Sequence, residues 1–140
     1  MTICFDTNVI LDGVLQRTPY QQAATGLIHA VERGDLTGQL CATTVTTVYY
    51  FVQKRYDGPA ARTDVRDLLH LFDVAPVHRA SLERAAESDF QDYEDAVLHS
   101  AARTAGADGI VTRNTADFST ASLSVHTPTE LLTILDHRRE

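Results

Sequence analysis

Residues 89–118 read DFQDYEDAVLHSAARTAGADGIVTRNTADF, and this stretch contains each kind of transition that the fold requires. Asp89, Asp92, Glu94 and Asp95 open an apolar helical pattern that runs to about Thr104. Acids in a first turn suit a helix start, where unpaired peptide N–H groups leave partial positive charge. Gly106 then stands where a helix-ending glycine belongs. A short β-rich run, Gly109 to Thr112, is followed by a polar turn, Arg113 to Asp117. The order is acidic helix start, helix, strand, acidic loop. In an open parallel sheet, strand ends and the starts of the following elements face one crevice. Asp117 therefore has a route to carboxylates brought by other strands. The first strand, Thr2 to Phe5, delivers Asp6.

The flanking chain fits the same sheet. Val9 to Leu15 reads as a short helix, with Val9, Ile10 and Val14 at helical spacing. Thr18-Pro19 is expected to cap the next helix, whose stripe is Ala23, Ala24, Leu27, Ile28 and Val31 and whose stop is Gly34. Leu36 to Ala42 is a second strand. Thr43 to Tyr56 has the Thr, Val and Tyr content of a strand, but Val45, Val48, Tyr49 and Val52 keep helical spacing, and a helix is expected. Asp57-Gly58-Pro59 starts another helix. Val74 to Val77 is a short strand, Ser81 caps a short helix, and Ser124 to His126 is a brief strand. Thr127-Pro128-Thr129-Glu130 starts the last helix with a cap, a proline and a Glu at capping-box spacing. Strands alternating with helices predict a three-layer α/β/α fold with a central, mainly parallel sheet, in one domain over residues 1–140.

Bulk properties narrow the function. Apolar content of 44% and charged content of 22% are those of an ordinary globular protein. The net charge of -7 argues against a broad basic face for nucleic acid. It does not exclude a nuclease, because a carboxylate metal site is itself acidic. Cys4 and Cys41 have no zinc-type spacing and are read as reduced, buried residues of a cytoplasmic protein. No signal-peptide pattern and no membrane-length apolar run is present.

Carboxylates that converge at strand ends without Lys or Arg partners repel one another unless protons or cations neutralise them. Their oxygens suit Mg2+ or Mn2+. An ion held this way promotes in-line attack of water on a phosphodiester. The six histidines form no nucleophile-and-base signature with Ser or Cys.

With these residues in place, the chain resembles the PIN domain family of small metal-dependent ribonucleases. The resemblance rests on Asp6-Thr7-Asn8-Val9, on Glu94-Asp95-Ala96, and on Ile110-Val111-Thr112-Arg113-Asn114 with Asp117-Phe118. It implies Asp6, Asp95 and Asp117 as metal ligands for Mg2+ or Mn2+. It implies Asn114 as a polar partner that helps hold water at the metal, and Thr7 and Asn8 as residues that orient Asp6 or touch phosphate. It further implies an RNA substrate, a homodimer and, for a toxin of a toxin–antitoxin pair, inhibition by a small antitoxin protein. Most family members carry a glutamate on the helix after the second strand. Here Thr43 to Val52 has no acid, and Thr46, Thr47 or Tyr49 stands near that place. Asp92, Glu94 or Asp12 can make up the missing ligand.

Plainer roles exist for the same residues. Asp92 fits helix capping as well as metal binding. Glu94, adjacent to Asp95, points elsewhere on a helix and fits a solvated role. Arg113 fits either a phosphate contact or a local carboxylate partner. Tyr49, Tyr50 and Phe51 suit a core or a dimer interface. The rival to a ribonuclease is a non-catalytic, degenerate PIN-like module that binds a protein partner.

Overall fold

The computed structural model describes residues 1–139. Its strands are β1 (Thr2–Phe5), β2 (Thr37–Cys41), β3 (Asp73–Ala75), β4 (Gly109–Val111) and β5 (Ser124–His126). They form one sheet in the order β3-β2-β1-β4-β5, and each adjacent pair is parallel. The helices are α1 (Thr7–Val14), α2 (Gln21–Arg33), α3 (Ala42–Arg55), α4 (Gly58–Leu71), α5 (Arg79–Ala86), α6 (Tyr93–Thr104) and α7 (Pro128–Arg139). A 3-10 turn covers Thr115–Phe118.

Strand alternation decides which side each residue serves. Ile3, Phe5, Leu40 and Val111 face a core built with α1, α2, α3, α4 and α7. Cys4, Cys41, Ala75 and Ile110 face a second core with α5 and α6. Both faces are therefore covered, and the architecture is the expected three-layer α/β/α sandwich. Both cysteines are buried with free thiols. Close approach fixes Gly38 on β2: a Cβ there would lie 2.5 Å from the Phe72 ring and 2.9 Å from Val31.

Helix boundaries follow local chemistry. Gly34 and Gly106 adopt φ of 82° and 83° and end α2 and the α6 turn, a conformation that costs glycine little. Asp57 accepts from Ala60 N and starts α4. Thr127 accepts from Glu130 N and starts α7. The ambiguous segment is helix α3, because Val48 and Val52, one turn apart, are both fully buried. Two expected caps differ. Thr18-Pro19 does not begin α2; Arg17 O accepts from both Tyr20 N and Gln21 N, so a turn precedes the helix. Ser81 lies inside α5, where its hydroxyl accepts from His78 N and stabilises the start from the third position.

Candidate active site

Asp6 leaves the carboxyl end of β1 and caps α1. Its Oδ1 accepts from Thr7 N at 2.8 Å, and its Oδ2 accepts from Thr112 Oγ1 at 2.8 Å. Parallel pairing of Phe5 with Val111 brings Thr112, the residue after β4, alongside Asp6. Thr112 is fully buried and accepts from Asn114 N at 3.1 Å. A short relay thus runs from the Asn114 peptide through the Thr112 hydroxyl to the Asp6 carboxylate. Thr7 contacts Thr44 of α3, with their hydroxyl oxygens 2.9 Å apart. Asn8 Oδ1 accepts from Arg113 N at 3.5 Å and ties the start of α1 to the β4 loop.

α6 and the 3-10 turn bring the other acids. Asp92 is the N-cap of α6 and accepts from Asp95 N at 3.0 Å, so its capping role is real. Asp95 sits one turn into the helix, partly buried, while Glu94 is exposed. Asp117 is exposed on its turn, and the neighbouring Phe118 anchors that turn in the core with its ring 5.7 Å from Phe90. An open groove of about 520 Å³ runs between these two segments, lined by Asp89, Gln91, Asp92 and Asp117.

Electrostatics link the acids into one cluster. Burial, and then the charges of Asp6, Asp92, Asp117 and Glu94, push the Asp95 carboxyl up to about 7. Asp6 is also raised, chiefly by burial; its bonds from Thr112 and Thr7 oppose the rise, and Asp92 and Asp117 add to it. Among the described residues, no Lys, Arg or His forms an ion pair with Asp6, Asp92, Asp95 or Asp117. Among the described residues, no three His, Cys, Asp or Glu side chains are arranged so that they could hold a metal ion as they stand. The cluster is open, oxygen-only and uncompensated, a donor set that fits a hard divalent cation.

Arg113 is committed elsewhere. Its Nε lies 2.7 Å from Oδ2 of Asp12, and its Nη2 donates to Oδ1 at 3.4 Å. Its guanidinium carbon also lies 4.0 Å from the centre of the Tyr20 ring. Asp12, with a side chain only 1% exposed, is therefore the partner of Arg113, which removes it from the set of substitutes for the missing glutamate. Burial raises its carboxyl and the Arg113 charge counters that rise. Thr46 and Thr47 do not occupy the vacant position as free donors, because both hydroxyls donate to Thr43 O, at 2.9 and 3.1 Å. Tyr49 lies under Arg62. The α3 residue that reaches the Asp6 strand end is Thr44, through Thr7.

Asp6, Asp92, Asp95 and Asp117 lie near enough to act on one another's charge; Thr7 and Asn8 support them, and Asn114 enters through its main chain rather than its side chain. Sequence reasoning missed Thr112 and Thr44. The β1–β4 register was the signal for Thr112; no local signal marks Thr44.

A doubly wound parallel sheet with carboxylates gathered at its carboxyl edge defines the class of α/β proteins with an acidic crevice. Within that class, the chain belongs to the PIN domain family, whose model matches residues 2–116. The match includes Asp6, Asp92, Asp95 and Asn114 and stops one residue short of Asp117. The chain is similar to "Ribonuclease VapC1" of Aquifex aeolicus (strain VF5), 25% identical over 119 residues that cover 81% of this chain and 82% of that protein. Its fold is similar to a toxin–antitoxin complex from Klebsiella pneumoniae, with TM-score 0.68, 24% identity and coverage of 90% and 97%. FitAcB from Neisseria gonorrhoeae gives TM-score 0.67, 21% identity and coverage of 91% and 98%. No helix among the described residues is long and apolar enough to cross a membrane.

Proposed function

We propose that this protein is a divalent-metal-dependent endoribonuclease of the cytoplasm, acting as the toxin of a toxin–antitoxin pair. The observation that carries this reading is the uncompensated cluster of Asp6, Asp92, Asp95 and Asp117 at the carboxyl edge of a PIN-domain sheet. The similarity to a ribonuclease and to toxin–antitoxin complexes supports it. Asp6, Asp95 and Asp117 would hold Mg2+ or Mn2+, with Asp92 at the rim. When bound, the ion supplies a Lewis acid that eases ionisation of water and offsets charge on the phosphate.

The chain's own residues prepare that site. The two hydrogen bonds to Asp6 fix its rotamer at the carboxyl end of β1. Thr112 donates to Asp6 because its oxygen already accepts from Asn114 N, so the relay has one direction. Without a cation, burial and the neighbouring carboxylates push Asp95 up to about 7, and a bound cation would offset that repulsion and favour its ionised form. Asn114 and Asn8 set the loop that carries Asp117, which keeps the acids converging. Hydrolysis forms a bond from the water oxygen to phosphorus and breaks the bond to the leaving ribose oxygen, without a covalent enzyme intermediate. A homodimer and a small antitoxin that covers the acidic crevice complete the proposal.

The test is cleavage of a panel of structured and single-stranded RNAs with Mn2+, with EDTA, and by Asp6→Asn. Cutting lost with EDTA and with the substitution supports the reading. A wild type that neither cuts any RNA nor binds Mn2+ by calorimetry points to the non-catalytic module, a reading that the acid-free α3 favours.

A further inference from the structure

We infer that a strip of alternating cations and exposed aromatic rings beside the acidic groove binds the single-stranded RNA that flanks the cut; this rests on the ribonuclease reading. The strip begins at Arg113, whose main chain continues into the Asn114–Asp117 loop. Its guanidinium covers the Tyr20 ring at 4.0 Å and is fastened from below by buried Asp12. Arg17 follows, since its N donates to Asp12 O at 3.0 Å and its carbonyl accepts from Tyr20 N at 2.9 Å. The Arg17 guanidinium lies 5.8 Å from the Phe51 ring. Phe51 meets Tyr50 edge to face at 5.5 Å, and Lys54 Nζ lies 6.0 Å from Tyr50. The chain of contacts from the active-site loop to the middle of α3 is unbroken.

Three properties favour single-stranded RNA as the occupant. The rings are open to solvent, with Tyr20 at 44%, Tyr50 at 57% and Phe51 at 37% exposure. Arg17 and Lys54 have no ion-pair partner among the described residues, and α3 carries no acid; Arg17 acts on the Asp12 carboxyl only at longer range, so both cations have charge left for phosphates. Alternation of the two groups matches a strand in which each nucleotide offers one phosphate and one base face. A chain of net charge -7 repels RNA as a whole, so attraction has to be concentrated where cations are local, and in the strip Arg17 and Lys54 supply it while Arg113 is held by Asp12. The strip also explains why these aromatics sit on the surface of α3 rather than in the core below it, where Val48 and Val52 are.

The experiment measures fluorescence anisotropy of a labelled single-stranded RNA and of a duplex of the same sequence. Ca2+ replaces Mn2+ during binding, and cleavage is followed separately with Mn2+. The Tyr50→Ala/Phe51→Ala double variant is expected to bind the single strand about tenfold or more weakly and to leave duplex binding unchanged. Arg17→Ala and Lys54→Ala are each expected to reduce the slope of log affinity against log salt by about 0.7. Arg79→Ala, an exposed cation paired with Glu83 on α5, serves as the control and leaves the single-strand affinity unchanged. Circular dichroism confirms that each variant is folded. If wild type binds and cuts RNA while the strip variants match it, the strip is refuted and the nuclease stands. If wild type neither binds nor cuts, both fall. A double variant that loses self-association with unchanged RNA affinity makes the strip a protein interface and refutes the proposal.

Discussion

Replacing Asp95 with Asn tests whether the acids are gathered as described. In the metal-free protein the Asp95 carboxyl is pushed up to about 7 from its ordinary 3.8, first by burial and then by the neighbouring carboxylates. Between those two values the folded chain holds a proton that the unfolded chain has released. The resulting stabilisation is complete below the unfolded value and disappears as pH rises through about 7. At 1.36 kcal/mol per pH unit, the ceiling is about 4 kcal/mol. Asp95 is only partly buried, and water screens much of the repulsion, which leaves roughly 1–2 kcal/mol. Asn carries no charge, so Asp95→Asn is expected to be more stable than wild type by roughly that amount at about pH 8, and to match it near pH 4. Urea unfolding in EDTA, followed by circular dichroism across this range, reads the difference. Parallel pH profiles for the two proteins would refute the reasoning, because a solvated, isolated Asp95 gives no divergence. Added Mn2+ is expected to restore wild-type stability at the alkaline end and to leave the variant less affected.

Two further perturbations test the scaffold. Arg113→Ala strands the buried Asp12 carboxylate, and a loss of about 3 kcal/mol is expected; adding Asp12→Asn should recover part of it, as a double-mutant cycle by urea unfolding would show. Gly38→Ala drives a methyl into the Phe72 ring, itself held edge-on against Phe5 at 5.0 Å. A drop of about 1–3 kcal/mol is expected, and thermal unfolding measures it.

The layering was legible because it depends on short-range patterns. The short apolar runs of β1 and β4, the glycine stops at Gly34 and Gly106, and the caps at Asp57 and Thr127 are local chemistry that any segment carries with it. α3 was readable against its own composition because buried valines at helical spacing outweigh weak strand propensity. Thr18-Pro19 misled for the complementary reason: a good local cap signal yielded to a turn built on the Arg17 carbonyl. The acids were legible because parallel topology sends strand ends to one edge. Their long-range partners were not. Thr112 meets Asp6 across 106 positions, Thr44 meets Thr7 across 37, and Asp12 meets Arg113 across 101. Each is a common residue whose role appears only once the register and the helix packing are fixed.

The central place of β1 bears on synthesis. Asp6 precedes both other acids in the chain, yet its strand pairs on one side with β2 and on the other with β4, and Asp95 and Asp117 come later still. Closing so long a loop is slow relative to local helix formation. A nascent chain therefore carries Asp6 without the others until the segment through Asp117 is out, and the crevice is assembled only then.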